Sequence, residues 1–584
     1  MPMKLYLFAS IIFFASLLPN LLYGQSERSF TLEGRVFDQK SQENISYANI
    51  YNLRTKKGAV SNELGYFKLQ QQRQQDTLLI TYLGYKQVLQ PLDATTLFYE
   101  IAMVENGQLL NEVTIVPKDN TYLFDMVEAC RKNAPETKAT AKSFYTLKSF
   151  IEGTQVELVE GFYNANITGY DLEALYIKTA RVALLPYRRQ LFASVESSRA
   201  ISMLKLCDHN DYFPKSPLEM SKKALKKSYF LRLNNQYIDE NRDSIFVLEY
   251  VPKDTSGRFF SGFLWINAGQ QSILKVKLNC PNAVLHPFLP LFPTDTIAKV
   301  AFQITKTFQP VQGKMTFQHV DFSYTIQYHN RNGESYPVTT SAIVYAYDFD
   351  QRFQLPFFRF SSASAGDYKK INAIPYNPYF WKHNDELKLN TQYNENERFY
   401  EQPNVVTNTT IFEGNQYLDR GMLEFPYVRW SKKRMYFRGQ ANTSAQDIAS
   451  ITGTLSVPYQ LKGKLFLDIN PYPDTLQIVT AAIFDPYDSF YRLPLDNTAH
   501  CFINLYFDLV EIQRRILEAA IKHSDKKAAT VEQIYKKNQA DLDGIARQFF
   551  TDVEGGKERG SMLKWNKLVF EQLKVDNMDL FGLK

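Results

Sequence analysis

Apolar and polar positions alternate through Phe30–Asp38, with Leu32, Gly34 and Val36 on one side and Thr31, Glu33 and Arg35 on the other. That is the period of a half-buried strand. Polar residues 39–44 supply a turn, and residues 47–51 and 78–82 are rich in the β-branched and aromatic side chains that suit a pleated surface. Gly58, Gly65 and Gly84 punctuate these strands where a turn or bulge favours a residue without a Cβ. A last strand is predicted at 112–116, closed by Pro117, which cannot donate to a central ladder.

The period then changes. In 121–130, Leu123, Met126, Val127 and Cys130 share one helical face, which ends at Asn133 before Pro135. Segments 144–150 and 157–163 read as β or mixed. From 229 to 346 short apolar runs recur at 244–250, 262–266, 272–278, 300–304, 316–328 and 341–345, which predicts an antiparallel sheet, curved or half-closed. Helical spacing returns at 502–522, 531–550 and 562–573, with Gly555 and Gly556 as a break. The apolar stripes there, Ile503, Tyr506, Phe507 and Val510 among them, read as a core packed on strands in 451–480. An aromatic content of 14% suits an outer-membrane barrel, but such a barrel would end in a strand and this chain ends in helices.

The expected architecture is therefore multidomain and mainly β with α. It has a β-sandwich at 25–117, a mixed α/β module at 118–228 and an antiparallel sheet module at 229–350. An irregular, linker-rich region follows at 351–450, then strands with a C-terminal helical subdomain at 451–584. Residues 1–24 read as a secretory signal peptide: Lys4, an apolar run over 5–18, and Gly24 before Gln25. Leu22 stands where a small residue is usual, and no cysteine lies near the junction to carry a lipid anchor. A net charge of +6, scattered over 584 residues without a basic aromatic stripe, points away from nucleic acid. Cys130, Cys207, Cys280 and Cys501 have no CxxC spacing and read as buried thiols.

Five ordered blocks carry a resemblance. Gly34-Arg-Val-Phe-Asp38, Ile45-Ser-Tyr-Ala-Asn-Ile50, Gly58 with Asn62-Glu-Leu-Gly-Tyr-Phe67, Asp76 with Tyr82-Leu-Gly-Tyr85, and Leu110-Asn-Glu-Val-Thr-Ile-Val116 resemble the carboxypeptidase regulatory-like domain. The resemblance implies a seven-stranded, transthyretin-like sandwich without catalytic activity, of the kind found at the N-terminus of exported Bacteroidota envelope proteins, TonB-dependent receptors included. The helix and aromatic strand that follow are similar to the second module of many such proteins. The step from Gly262-Phe-Leu-Trp-Ile-Asn267 to Ser272-Ile-Leu-Lys-Val276 resembles the hairpin of periplasmic lipoprotein-carrier half-barrels. That implies a concave face for an acyl chain or a partner's strand, beside the alternative of a plain packed sheet. Asp76-Thr-Leu78, Asp243-Ser-Ile245, Asp295-Thr-Ile297 and Asp474-Thr-Leu476 resemble the O-glycosylation sequon of exported proteins in this bacterial group.

Candidate chemistry is sparse. His383 and Glu386 form a His-x-x-Glu pair that, with the distant His500, matches the ligand pattern of zinc carboxypeptidases. Zinc would need two imidazoles and a carboxylate converging on one point, with a fourth position for water. The family's arginine and general-base segments are missing, so the competing reading is a solvated loop. Cys207-Asp-His-Asn-Asp211 reads as a polar turn, and Asp485 and Asp488 as turn or helix-entry residues before acid–base groups. There is no His-Glu-x-x-His, Gly-x-Ser-x-Gly, P-loop or dinucleotide fingerprint. The leading expectation is a non-enzymatic exported protein with a binding or assembly role at the periplasmic or outer-membrane side of the envelope. It names no catalytic residue, cofactor or metal. Its partner is an envelope protein or surface ligand, with peripheral outer-membrane association, and the sandwich's edge strands offer a place to pair. The alternatives are a carboxypeptidase-like zinc hydrolase using His383, Glu386 and His500, or a protein associated with an outer-membrane barrel.

Overall fold

A computed structural model of the chain describes residues 30–55, 58–62, 64–93, 95–105, 120–188, 191–194, 197–239, 241–349, 351–360, 367–384, 390–408, 427–435, 458–472 and 475–584. The expected signal peptide and the strand at 112–116 lie outside these residues.

The N-terminal unit contains β1 (Phe30–Asp38), β2 (Asn49–Asn52), β3 (Gly58–Val60), β4 (Tyr66–Gln72), β5 (Thr77–Thr81), β6 (Val88–Pro91) and β7 (Phe98–Met103). These seven strands make two sheets, ordered β4-β1-β7 and β3-β2-β5-β6, the sandwich that the alternation and the family resemblance predict. Leu32, Val36, Ile50, Phe67, Leu78, Ile80 and Ile101 fill the space between them. Gly34 is required by packing: a Cβ there would stand 2.6 Å from the Tyr99 carbonyl oxygen and 2.5 Å from the Phe67 ring. Gly65 is required by backbone, with φ +79° at the turn into β4. Asp76, whose side chain is buried, holds the β4–β5 turn by accepting hydrogen bonds from the Arg73 amide (2.9 Å), Asn52 (2.8 Å) and Arg54 (2.8 Å).

The second unit begins with α1 (Thr121–Lys132) and the long strands β8 (Lys138–Ile151), β9 (Thr154–Thr168) and β10 (Asp171–Leu184). Two short helices, α2 (Ser197–Met203) and α3 (Lys222–Ser228), lead to β11 (Tyr229–Ile238), β12 (Ser244–Pro252), β13 (Ser261–Asn267), β14 (Ser272–Ala283), β15 (Thr296–Val311), β16 (Lys314–His329) and β17 (Ser335–Tyr347). Three helices, α4 (Asp367–Ala373), α5 (Pro378–His383) and α6 (Asn390–Tyr400), then precede the short β18 (Val406–Thr407).

One eleven-stranded sheet runs β11-β12-β13-β14-β15-β16-β17-β8-β9-β10-β18, antiparallel throughout. It therefore crosses the expected boundary between 118–228 and 229–350. The joint is β17 against β8, where Ala342 faces Leu147 across nearly two hundred residues of chain, a pairing that local periodicity does not encode. The sheet does not close; β11 and β18 are its edges. Leu123, Val127 and Cys130 of α1, Ile201 of α2 and Leu225 of α3 share a core with Tyr145, Leu147, Phe302 and Phe322 of the sheet.

Residues 351–450 were expected to be irregular, yet their described part contains α4 to α6 and packs tightly. Phe380 and Trp381 of α5 meet Phe162 of β9 at ring separations of 5.4 and 5.6 Å. A three-stranded sheet, β19 (Val428–Arg429), β22 (Thr475–Phe484) and β21 (Gly463–Tyr472), and a small pair, β20 (Tyr459–Gln460) with β23 (Phe490–Tyr491), complete the β structure.

The chain ends, as expected, in helices: α7 (Asn497–Lys522), α8 (Ala528–Val553), α9 (Arg559–Leu573) and α10 (Asn577–Leu580). Asp496 caps α7 by accepting from the Ala499 amide at 2.8 Å. The break at Gly555 and Gly556 is real, with φ +71° and +99° after a left-handed Glu554. Phe502, Tyr506 and Leu517 of α7 and Phe549 of α8 pack with Leu465 and Leu467 of β21, so the apolar stripes are core. No helix among the described residues is long and apolar enough to cross a membrane.

Candidate functional site: a basic edge strand

The ends of a sheet are where its backbone can still pair. Among the described residues β11 pairs with β12 alone, and at ten residues it is far longer than β18, the other edge of its sheet. The sequence makes this edge unusual. Tyr229 and Leu231 point into the core, while Phe230 and Leu233 are 55% and 40% exposed. A bulge between Leu233 and Asn235 shifts the register and ends the regular edge there.

Cations surround these apolar groups. The helix that feeds β11 is α3, Lys222-Lys-Ala-Leu-Lys-Lys-Ser228, capped by Ser221 and buried through Leu225. Lys223, Lys226 and Lys227 are exposed on it. The Lys253 ammonium donates to the Lys226 carbonyl at 2.7 Å and sits 4.8 Å from the Phe230 ring centre. Lys226 lies 5.6 Å from the Phe124 ring. Arg232 on β11 reaches Glu249 only at 4.0 Å, while Lys222 is engaged by Asp125. The result is an extended backbone edge bearing Phe230 and Leu233 and flanked by Lys226, Lys227, Arg232 and Lys253. Its chemistry is main-chain hydrogen bonding, apolar contact and attraction for negative charge.

The sequence-predicted ligands lie in settings of a different kind. His383 closes α5; its Nδ1 is 2.9 Å from the Tyr379 carbonyl, and its ring stacks on Tyr379 at 3.9 Å. His500, in the first turn of α7, has Nδ1 2.8 Å from the Asp496 carbonyl and stacks on Phe581 at 6.2 Å. Glu386 lies outside the described residues. Among the described residues no three His, Cys, Asp or Glu side chains are grouped to hold a metal ion. In the Cys207–Asp211 stretch, His209 Nε2 meets Asp211 at 2.9 Å and Asn210 Oδ1 accepts from the Tyr212 amide at 2.8 Å, a turn built from its own polar groups. Asp485 accepts from the Tyr487 amide at 2.9 Å and pairs with Lys464, which also holds Asp488 at 3.0 Å. Burial pushes the Asp485 carboxyl upward.

All four cysteines are free; Cys130, Cys280 and Cys501 are buried, and burial pushes the thiols of Cys130, Cys207 and Cys501 up to about 12. At neutral pH they are protonated and poor nucleophiles.

Several buried charge clusters escape a sequence reading and prove to be cross-links. Arg181 of β10, 1% exposed, donates to Glu160 at 2.8 Å and Glu397 at 2.6 Å and lies over the Trp381 and Tyr400 rings at 4.5 and 5.0 Å. A cavity of about 560 Å³ is lined by Tyr376, Tyr427, Arg429, Trp430, Arg434 and Asp508, among others. Its one carboxylate, Asp508, is already committed to Trp430 (2.6 Å), Arg434 (2.9 Å) and Asn577 (2.6 Å). No sequence signal marks these partners, because each pair lies tens to hundreds of residues apart.

Comparison with curated proteins finds no match. Solved structures similar to parts of the chain include an outer membrane lipoprotein-sorting protein domain from Vibrio parahaemolyticus (16% identity, 40% of this chain and 94% of that chain, TM-score 0.17). A LolA superfamily protein from Nitrosomonas europaea is another (11% identity, 38% and 93%, TM-score 0.14). A third is the MucA/MucB complex of Pseudomonas aeruginosa (11% identity, 38% and 92%, TM-score 0.15). At the N-terminus the sandwich carries the CarboxypepD_reg-like domain, whose family model matches residues 32–115.

Proposed function

We propose that this chain is an exported, non-enzymatic protein of the cell envelope that works by binding, and that β11 takes an extended, acidic segment of a protein partner as an added strand. The observation that carries the reading is the composition of that edge: a regular run, Tyr229 to Leu233, on the terminal strand of the sheet, with Phe230 and Leu233 exposed and Lys226, Lys227, Arg232 and Lys253 around them. Main-chain pairing would supply affinity, and the apolar and cationic side chains would select the partner. The leader at 1–24 and the family of the N-terminal domain support an exported location.

The test is site-specific photo-crosslinking in the envelope of the native host, with the crosslinker at Phe230 and, as control, at the exposed Leu289. A discrete adduct from Phe230 alone, mapping to an acidic extended segment and lost on K226E/K227E/K253E, is expected. Equal labelling from both positions, or an adduct that survives charge reversal, would overturn the assignment.

A further inference from the structure

The cavity of about 560 Å³ is bounded by β19 and the residues that follow it, by Tyr376, and by Asn504, Phe507 and Asp508 of α7. The three α7 residues stand at spacings of three and four, so they share one face of the helix. Asn504 accepts from the Met435 amide and donates to the Met435 carbonyl, both at 2.9 Å. The Trp430 indole and the Arg434 guanidinium donate to Asp508 at 2.6 and 2.9 Å. Arg434 donates further to Asn577 at 2.9 Å and to the carbonyls of Ser431 and Lys432 at 2.9 and 3.0 Å. This wall is therefore fixed by its own hydrogen bonds, and the charge of Asp508 is matched by Arg434.

The cavity is cationic beyond that pair. Its lining holds Arg429, Lys433 and Arg434 against Asp508, an excess of two positive charges among the described residues. Arg429 ends β19, and its Nη2 donates to the Asn372 carbonyl of α4 at 3.2 Å. Burial pushes the guanidinium down to about 10, which leaves it charged at neutral pH. A cation withdrawn from water attracts an anion more strongly than an exposed one, because less solvent screens it. Lys433, also in the lining, is exposed and its ammonium can turn toward a ligand. The rest of the surface is aromatic: Tyr376, Tyr427, Trp430 and Phe507. Pockets of roughly 300–1,000 Å³ that combine apolar walls with a few polar groups are those that enclose small organic molecules. An inorganic anion would satisfy the cations and leave the rings uncovered; a flat apolar body carrying a carboxylate covers both.

We infer that this cavity binds a small aromatic carboxylic acid, with the ring system against Tyr376, Tyr427, Trp430 and Phe507 and the carboxylate at Arg429 and Lys433. The site is built from β19 and α7, not from β11, and it stands whether or not β11 takes a strand.

The experiment is titration calorimetry of the purified chain from Gln25 onward with 2-naphthoate, with its neutral counterpart 2-naphthamide, and with inorganic phosphate as competitor. One 2-naphthoate per chain is expected, with 2-naphthamide bound at least about tenfold more weakly, since a hydrogen bond to a charged group is lost. Arg429→Gln and Lys433→Gln should each weaken 2-naphthoate by about tenfold and leave 2-naphthamide unchanged, while Arg429→Lys keeps most of the affinity. Unchanged melting and circular dichroism show that a variant is folded. If Arg429→Gln melts early, Lys433→Gln, at an exposed position, still decides. No binding of 2-naphthoate, equal affinity for the acid and the amide, full affinity in a folded Lys433→Gln chain, or displacement by phosphate at equal concentration would overturn the inference.

Discussion

Lys178 of β10 donates a 2.5 Å hydrogen bond to Asp468 of β21, and both side chains are buried, at 3% and 5% exposure. The ammonium also donates to the carbonyls of Gln354 (2.7 Å) and Ile469 (3.0 Å), while Asn470 donates to the Asp468 carboxylate at 2.9 Å. Burial pushes the lysine down and the carboxyl up, and the pairing opposes both shifts. This link fastens the eleven-stranded sheet to the smaller C-terminal sheet.

Breaking the link on one side should be costly. Lys178→Met leaves Asp468 buried without its cation, and about 3–5 kcal/mol of unfolding free energy should be lost. Lys178→Met with Asp468→Asn should recover much of it, because no lone charge remains. Urea unfolding of the two variants checks the prediction; equal losses would show that the pair is not coupled.

Asp76 gives the N-terminal sandwich an acid limit. The Arg54 side chain, together with the Arg73 amide and Asn52, holds its carboxyl down at about 2, against an ordinary 3.8. A depressed acid contributes stability that is present above its unfolded value and lost as pH falls through its folded one. The contribution should therefore fade between about pH 4 and pH 2. Arg54 is 44% exposed, so screening keeps it to about 1–2 kcal/mol. Amide exchange of β4 and β5 residues through an acid titration should show the loss, and Asp76→Asn should remove its pH dependence.

Glu219 acts with the opposite sign. Its side chain is 5% exposed; one oxygen accepts from the Ser216 amide at 3.0 Å, and the other faces the His209 ring at 3.9 Å. Burial raises the carboxyl to about 7, with Lys215 and His209 pulling against it. A raised acid contributes stability below its unfolded value that is lost as pH rises through the folded one. Melting temperature should therefore fall between about pH 5 and pH 8, by an amount reflecting up to about 3 kcal/mol. Glu219→Gln should flatten that dependence; an unchanged slope would place its origin elsewhere.

Metal content separates the binding reading from the hydrolase alternative. The purified chain from Gln25 onward is expected to carry no stoichiometric zinc, and His383→Ala to change nothing in its elemental analysis. One zinc per chain that disappears in His383→Ala would make the His383, Glu386 and His500 set the default centre.

What the sequence by itself determined is what depends on near neighbours. The alternation of Phe30–Asp38, the glycines around it and five ordered blocks specify the sandwich, because a strand's two faces and a turn's backbone are set within a few residues. The helical stripes of 502–573 likewise declare a core-facing surface, since 3.6-residue spacing is written in the chain. Tertiary structure alone decided the rest. Whether β17 meets β8, whether β11 is an edge, and whether Arg181 finds Glu397 depend on pairings between segments far apart, which leave no local trace. Edge status gives Phe230 its significance, because the same alternating residues in a central strand would read as ordinary packing.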